Sequence, residues 1–116
     1  MRVVLDTNCF LVTLPKKSNY RPIFNAFRLG KFELAVSTEI LEEYGEIFAQ
    51  KMTPKISQNV IELILKQRNT IETNVYYRWN LITSDKDDDK FVDTTISSNA
   101  DFLVTNDKHF TSYSIP

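Results

Sequence analysis

Two short apolar runs in this sequence each lead to an aspartate. Val3-Val4-Leu5 runs into Asp6-Thr7-Asn8, and Phe102-Leu103-Val104 runs into Thr105-Asn106-Asp107. A single aspartate after a strand is what turns favour, so neither carries much weight alone. Two of them at the carboxyl ends of buried strands are harder to dismiss, because ligands of parallel α/β sheets bind at that edge. Thr7, Asn8 and Thr105 are placed to supply hydrogen bonds that orient such carboxylates and keep them ionised. Carboxylates brought to one edge repel unless a cation or a proton stands between them. The chemistry offered is therefore oxygen ligation of a hard divalent cation.

Further acids extend the set. Between Glu39 and Glu46 stand four glutamates, on a segment whose apolar residues Ile40, Leu41, Tyr44, Ile47 and Phe48 fall on one helical stripe. At about 100° per residue, Glu43 lies on the flank of that stripe, whereas Glu39, Glu42 and Glu46 point toward solvent. A charged helix face is usually just solvated, and both readings of Glu43 stand at this point. Asp87, Asp88 and Asp89 open another helix, where capping and the helix dipole already favour acids. Asp89 and Asp93 are four apart and so share a face beside the apolar residues of that helix.

Other chemistries lack their residues. Cys9 and His109 are single, which leaves zinc sites and Cys–His catalysis without ligands. Neither a nucleophile elbow nor a phosphate-binding glycine loop is present. Oxygen-only ligation points to Mg²⁺ or Mn²⁺. The net charge is −1, so no overall basic footprint marks a nucleic-acid binder, and any such partner must be gripped locally. At 42% hydrophobic and 25% charged residues over 116 positions, the chain has enough apolar material for the core of one domain. The apolar runs are far too short to span a membrane. The lone cysteine and the absence of a signal-peptide pattern make a reducing, cytoplasmic setting the expectation.

The elements that must position the acids can be read from the apolar spacing. Val3–Leu5 reads as a buried strand. Tyr20, Ile23, Phe24 and Phe27 recur at helical spacing, with Pro22 near the start and Gly30 as the C′ residue. Phe32 to Val36 reads as a second strand, closed by Ser37-Thr38, either of which can cap the glutamate-rich helix. Thr53-Pro54 announces a third helix through Ile56, Val60, Leu63 and Ile64. Leu81-Ile82 is consistent with a short strand. The helix after Asp87 carries Phe91, Val92, Thr95 and Ile96, and Phe102–Val104 is the last strand. Strands alternating with helices predict right-handed crossovers and a mostly parallel sheet.

Four of these segments, taken in order, resemble the PIN domain family: Val-Leu-Asp-Thr-Asn, Ser-Thr-Glu-Ile-Leu-Glu-Glu-Tyr, Asp-Asp-Asp-Lys-Phe, and Ala-Asp-Phe-Leu-Val-Thr-Asn-Asp-Lys-His-Phe. More narrowly, they resemble the PIN proteins described as toxin components of bacterial toxin–antitoxin systems, relatives of the VapC-like ribonucleases. The resemblance covers nearly the whole chain. It implies a three-layer α/β/α fold around a mostly parallel sheet of four or five strands, as a single domain over residues 1–116. Carried over by position, the family's four acids fall on Asp6, Glu43, Asp89 and Asp107, with Asp93, Asn8 and Thr105 as supports. PIN domains usually carry a further edge strand after the fourth acid. This chain stops at Ser114-Ile115-Pro116, so that strand is expected to be missing.

What the resemblance implies chemically is hydrolysis of RNA phosphodiester bonds by metal-activated water. Asp6, Asp89 and Asp107 would ligate Mg²⁺ or Mn²⁺, with Glu43 as ligand or nearby base. Lys16, Lys17, Arg21 and Lys108, with His109, are candidates for gripping RNA, set against the ordinary solubilising role of surface cations. The implied partners are RNA, a cognate antitoxin protein and a second copy of the chain. Two rival readings remain: a PIN scaffold that binds RNA or protein without cutting, and a Mg²⁺-binding receiver-like signalling domain. The receiver needs paired acids after the first strand, and Asp6 is followed by Thr7 and Asn8.

Overall fold

The computed structural model describes residues 1–74, 86–105 and 112–114, with residues 86–89 and 112–114 described by their backbone. Its elements run β1 (Arg2–Leu5), α1 (Thr7–Leu11), α2 (Arg21–Arg28), β2 (Glu33–Val36), α3 (Thr38–Lys51), α4 (Pro54–Lys66), β3 (Thr70–Glu72), α5 (Lys86–Ser97), β4 (Phe102–Val104) and β5 (Ser112–Ser114). The sheet has the order β3-β2-β1-β4-β5. Four strands are parallel, with Val3 opposite Leu34, Val4 opposite Leu103 and Ala35 opposite Ile71; β5 is antiparallel to β4. Helices flank this sheet in the expected α/β/α arrangement, with β1 at its centre.

Local chemistry sets the boundaries. Ser37 accepts the Ile40 amide at 3.3 Å and Thr53 the Ile56 amide at 3.0 Å, so both helices start on a hydroxyl cap. At the end of α2, Gly30 adopts φ 75°. There the Lys31 amide donates to the Ala26 carbonyl and the Gly30 amide to the Phe27 carbonyl, both at 3.0 Å. This pair of bonds needs a left-handed residue, which glycine supplies without a steric penalty.

The core is aromatic at its centre. Phe10 on α1 meets Phe24, Phe27, Tyr44 and Phe48 at centroid distances of 5.1–6.4 Å, with edge-to-face or tilted rings. Val4, Leu34, Ile40, Ile64 and Leu103 close around the sheet. This cluster ties α1, α2 and α3 together directly beneath the carboxyl end of β1.

Two expectations need correction, and a third lies outside the described residues. The strand beside β2 is Thr70–Glu72; the expected Leu81-Ile82 strand lies outside the described residues. Thr70-Ile71-Glu72 carries one apolar side chain, so it makes no apolar run, and backbone pairing to β2 defines it instead. The expected missing edge strand is present: Ser112–Ser114 pairs with β4, Leu103 facing Tyr113. A Ser-Tyr-Ser segment with one large residue leaves no period to read. Finally, five-residue α1 stands where only a turn was read, because it is too short to show a helical stripe.

Candidate active site

Asp6 is the residue that ends β1 and starts α1. Its extended backbone (φ −67°, ψ 165°) makes it the N-cap, and Oδ1 accepts the Cys9 amide at 2.8 Å. The other carboxylate oxygen, Oδ2, accepts from the Thr105 hydroxyl. Thr105 is buried just past β4, where the parallel pairing of β1 and β4 carries it alongside Asp6. The Asp6 amide donates to the Val104 carbonyl at 3.0 Å and continues that ladder by one bond.

Glu43 meets the same edge from α3. It is half-buried, whereas Glu39, Glu42 and Glu46 are exposed. The phase of the apolar stripe thus matches the observed burial. Glu43 Oε2 accepts from the hydroxyl of Thr7, the residue after Asp6. Glu43 Oε1 lies 3.0 Å from Lys90 Nζ on α5. Beneath both acids Tyr44 is fully buried and donates its hydroxyl to the Leu5 carbonyl. Burial first, and then the neighbouring Asp6 and Glu43 carboxylates and the Cys9 thiol, push the Tyr44 hydroxyl well above its usual range. The phenol therefore stays a hydrogen-bond donor at the end of β1.

Of the remaining sequence candidates, Asp93 sits on the inward face of α5 at 1% exposure. Asn8 is exposed on α1. Asp89 belongs to α5, but its side chain lies outside the described residues, as do Asp107, Lys108 and His109 entirely. Lys16 and Arg21 are not brought to the carboxylates. They border a separate cavity of about 430 Å³, walled by Leu14, Phe24, Met52 and Val60, and the Arg21 guanidinium lies 4.7 Å from the Phe24 ring centroid. Lys17 is exposed in the same loop. Lys90 was not among the candidates. Its signal was its place after three aspartates, just before the apolar residues that seat α5.

The arrangement is thus a pair of carboxylates with fixed orientation at the end of the central strand, reached by the partly buried ammonium of Lys90. Its donors suit a hard cation in kind. Among the described residues no three His, Cys, Asp or Glu side chains gather closely enough to hold a metal by themselves.

Comparison with known proteins gives a consistent result. The family description "PIN domain" matches residues 2–109. Among solved structures, the crystal structure of VapBC2 from Rickettsia felis bound to a DNA fragment from their promoter contains a similar chain. It has a TM-score of 0.63 and 20% identity, over 92% of this chain and 88% of that one. Comparison with curated proteins returns no match. No helix among the described residues is long and apolar enough to cross a membrane.

Proposed function

The chain belongs to the PIN domain family, and on that premise we propose that it is a metal-dependent endoribonuclease that hydrolyses RNA phosphodiester bonds. One observation supports this most: Asp6 and Glu43, from different elements, meet at the carboxyl end of the central strand. Each is held by a threonine hydroxyl, from Thr105 and Thr7 respectively. Positioned carboxylates at a sheet edge, seated on an aromatic core, are what a cation site requires and what a purely structural turn does not.

In this reading Asp6, Asp89 and Asp107 hold Mg²⁺ or Mn²⁺, with Asp93 and Asn8 in support. The cation, when bound, lowers the pKa of a water and offsets charge on the phosphate. The chain's own part is to fix the carboxylates. Asp6 cannot rotate without breaking the α1 cap, and Thr105 fixes the oxygen that the cap leaves over. Tyr44 anchors the last carbonyl of β1, so the strand end cannot drift from α3. Local cations, Lys108 among them, would grip the RNA backbone.

The likeness of fold to a VapBC2 chain further supports a role as the toxin of a toxin–antitoxin pair, held in check by an antitoxin protein inside the cell. The deciding experiment is cleavage of a mixed, fluorescently quenched RNA pool. Cutting should require Mg²⁺ or Mn²⁺, stop in EDTA, and disappear in Asp6→Asn. Retention of RNA without cutting would identify a scaffold-only binder and refute the nuclease reading.

A further inference from the structure

We propose that Lys90 is a positioning residue, the internal counter-ion of the acidic site. It fixes Glu43 as a carboxylate that braces α1 and stays off the cation, leaving ligation to the aspartates. This rests on the metal-dependent reading above and settles the role of Glu43 within it.

The geometry points this way from both oxygens. Oε1 of Glu43 faces the Lys90 ammonium at 3.0 Å, and Oε2 receives the Thr7 hydroxyl. Thr7 is the first residue of α1 and directly follows Asp6. The Glu43 carboxylate therefore bridges α5 to the start of α1, with a donor already on each oxygen. A divalent cation binding Glu43 would have to approach an ammonium of like charge.

The pair is also shielded. The Lys90 side chain is 13% exposed and that of Glu43 28%, so salt screens their attraction less than on an open surface. A partly buried ion pair of this kind adds little net stability, since desolvation offsets much of the attraction. Stability alone thus accounts poorly for a lysine at this position. The lysine is well explained as a charge that divides the acids into those that bind the cation and one that does not.

The test uses the full chain, with Mn²⁺ as the probe, and compares wild type, Lys90→Met, Lys90→Arg and Lys90→Met/Glu43→Gln. Removing a unit charge within ~10 Å of a cation at an effective dielectric of ~20 changes affinity roughly tenfold. Lys90→Met should therefore bind Mn²⁺ about tenfold more tightly, by electron paramagnetic resonance titration of the free ion. Its kcat on RNA should fall on the order of 10- to 100-fold, the range for losing a residue that orients a metal site, with KM unchanged. Lys90→Arg should retain most of kcat, and the double variant should return Mn²⁺ affinity to near the wild-type value. Unchanged or weaker Mn²⁺ binding by Lys90→Met overturns the proposal. So does a change confined to KM, which would make Lys90 an RNA-gripping residue. A wild type that cuts no RNA, yet whose Mn²⁺ binding tightens in Lys90→Met, refutes the ribonuclease reading and supports this one.

Discussion

Replacing Asp6 by asparagine and by alanine separates its two duties. As the N-cap of α1, its Oδ1 accepts the Cys9 amide at 2.8 Å. Its Oδ2 also accepts from Thr105 across 99 residues of sequence. Alanine removes both. A lost cap costs about 1 kcal/mol, and a lost hydrogen bond to a charged acceptor about 1.5–3 kcal/mol. Asp6 is only half-buried, and some repulsion from Glu43 is relieved, so we expect a net loss of about 2–3 kcal/mol. At about 4 °C per kcal/mol for a chain of this size, that lowers Tm by about 8–12 °C. Asparagine keeps an oxygen for the cap, and its amide can donate to Thr105, whose hydroxyl can turn to accept. Asp6→Asn should therefore melt within about 4 °C of wild type while losing RNA cleavage altogether. Circular dichroism melts in EDTA, paired with the fluorescent RNA assay, give both readouts. An asparagine variant that melts as low as alanine would refute the cap argument. One that cuts RNA like wild type would refute the role of the charge.

Glu43→Gln should slow RNA cleavage about 10- to 100-fold, the scale for losing a residue that orients a metal site. Glu42→Gln and Glu46→Gln, on the exposed face of α3, should leave initial rates unchanged. Tyr44 titrates higher folded than unfolded, so its contribution is complete below the ordinary tyrosine value near 10 and is lost as pH rises through the folded value. Urea midpoints measured from pH 8 upward should fall above about pH 10 in wild type and fall less steeply in Tyr44→Phe. Asp107→Asn should raise the melting temperature in EDTA, by up to about 1 kcal/mol of stability, through relief of repulsion among the acids. The same variant should gain less from Mn²⁺ than wild type does; a lower melt with a full Mn²⁺ response would make Asp107 a turn residue.

Much of the scaffold was legible because it rests on local signals. Ser37, Thr53-Pro54 and Gly30 mark helix ends through bonds a few residues long, and the α3 stripe sets the half-buried phase of Glu43. What escaped was fixed by long-range pairing. β3 exists because Ala35 and Ile71 align across the sheet, and β5 because Leu103 faces Tyr113; neither has an apolar run to announce it. α1 is held by the Asp6 cap and by Phe10 in the aromatic cluster, and one residue has no period. Lys90 escaped for another reason. A lysine in a charged segment reads as solvated, and only the packing of α5 beside α3 turns it inward onto Glu43. Lys16 and Arg21 line a cavity shared with Ile56, Val60 and Leu63 of α4, a neighbourhood that only the folded chain reveals.

The Asp6–Thr105 bond also bears on how the protein is made. The central strand is translated before its β4 neighbour, and the hydroxyl that orients its aspartate comes 99 residues later. At roughly 5–20 residues per second of synthesis, Asp6 waits on the order of 5–20 s on the ribosome before Thr105 is even polymerised. Contacts of such long range form late, so Asp6 takes up its fixed orientation only after β4 has been made and has paired with β1.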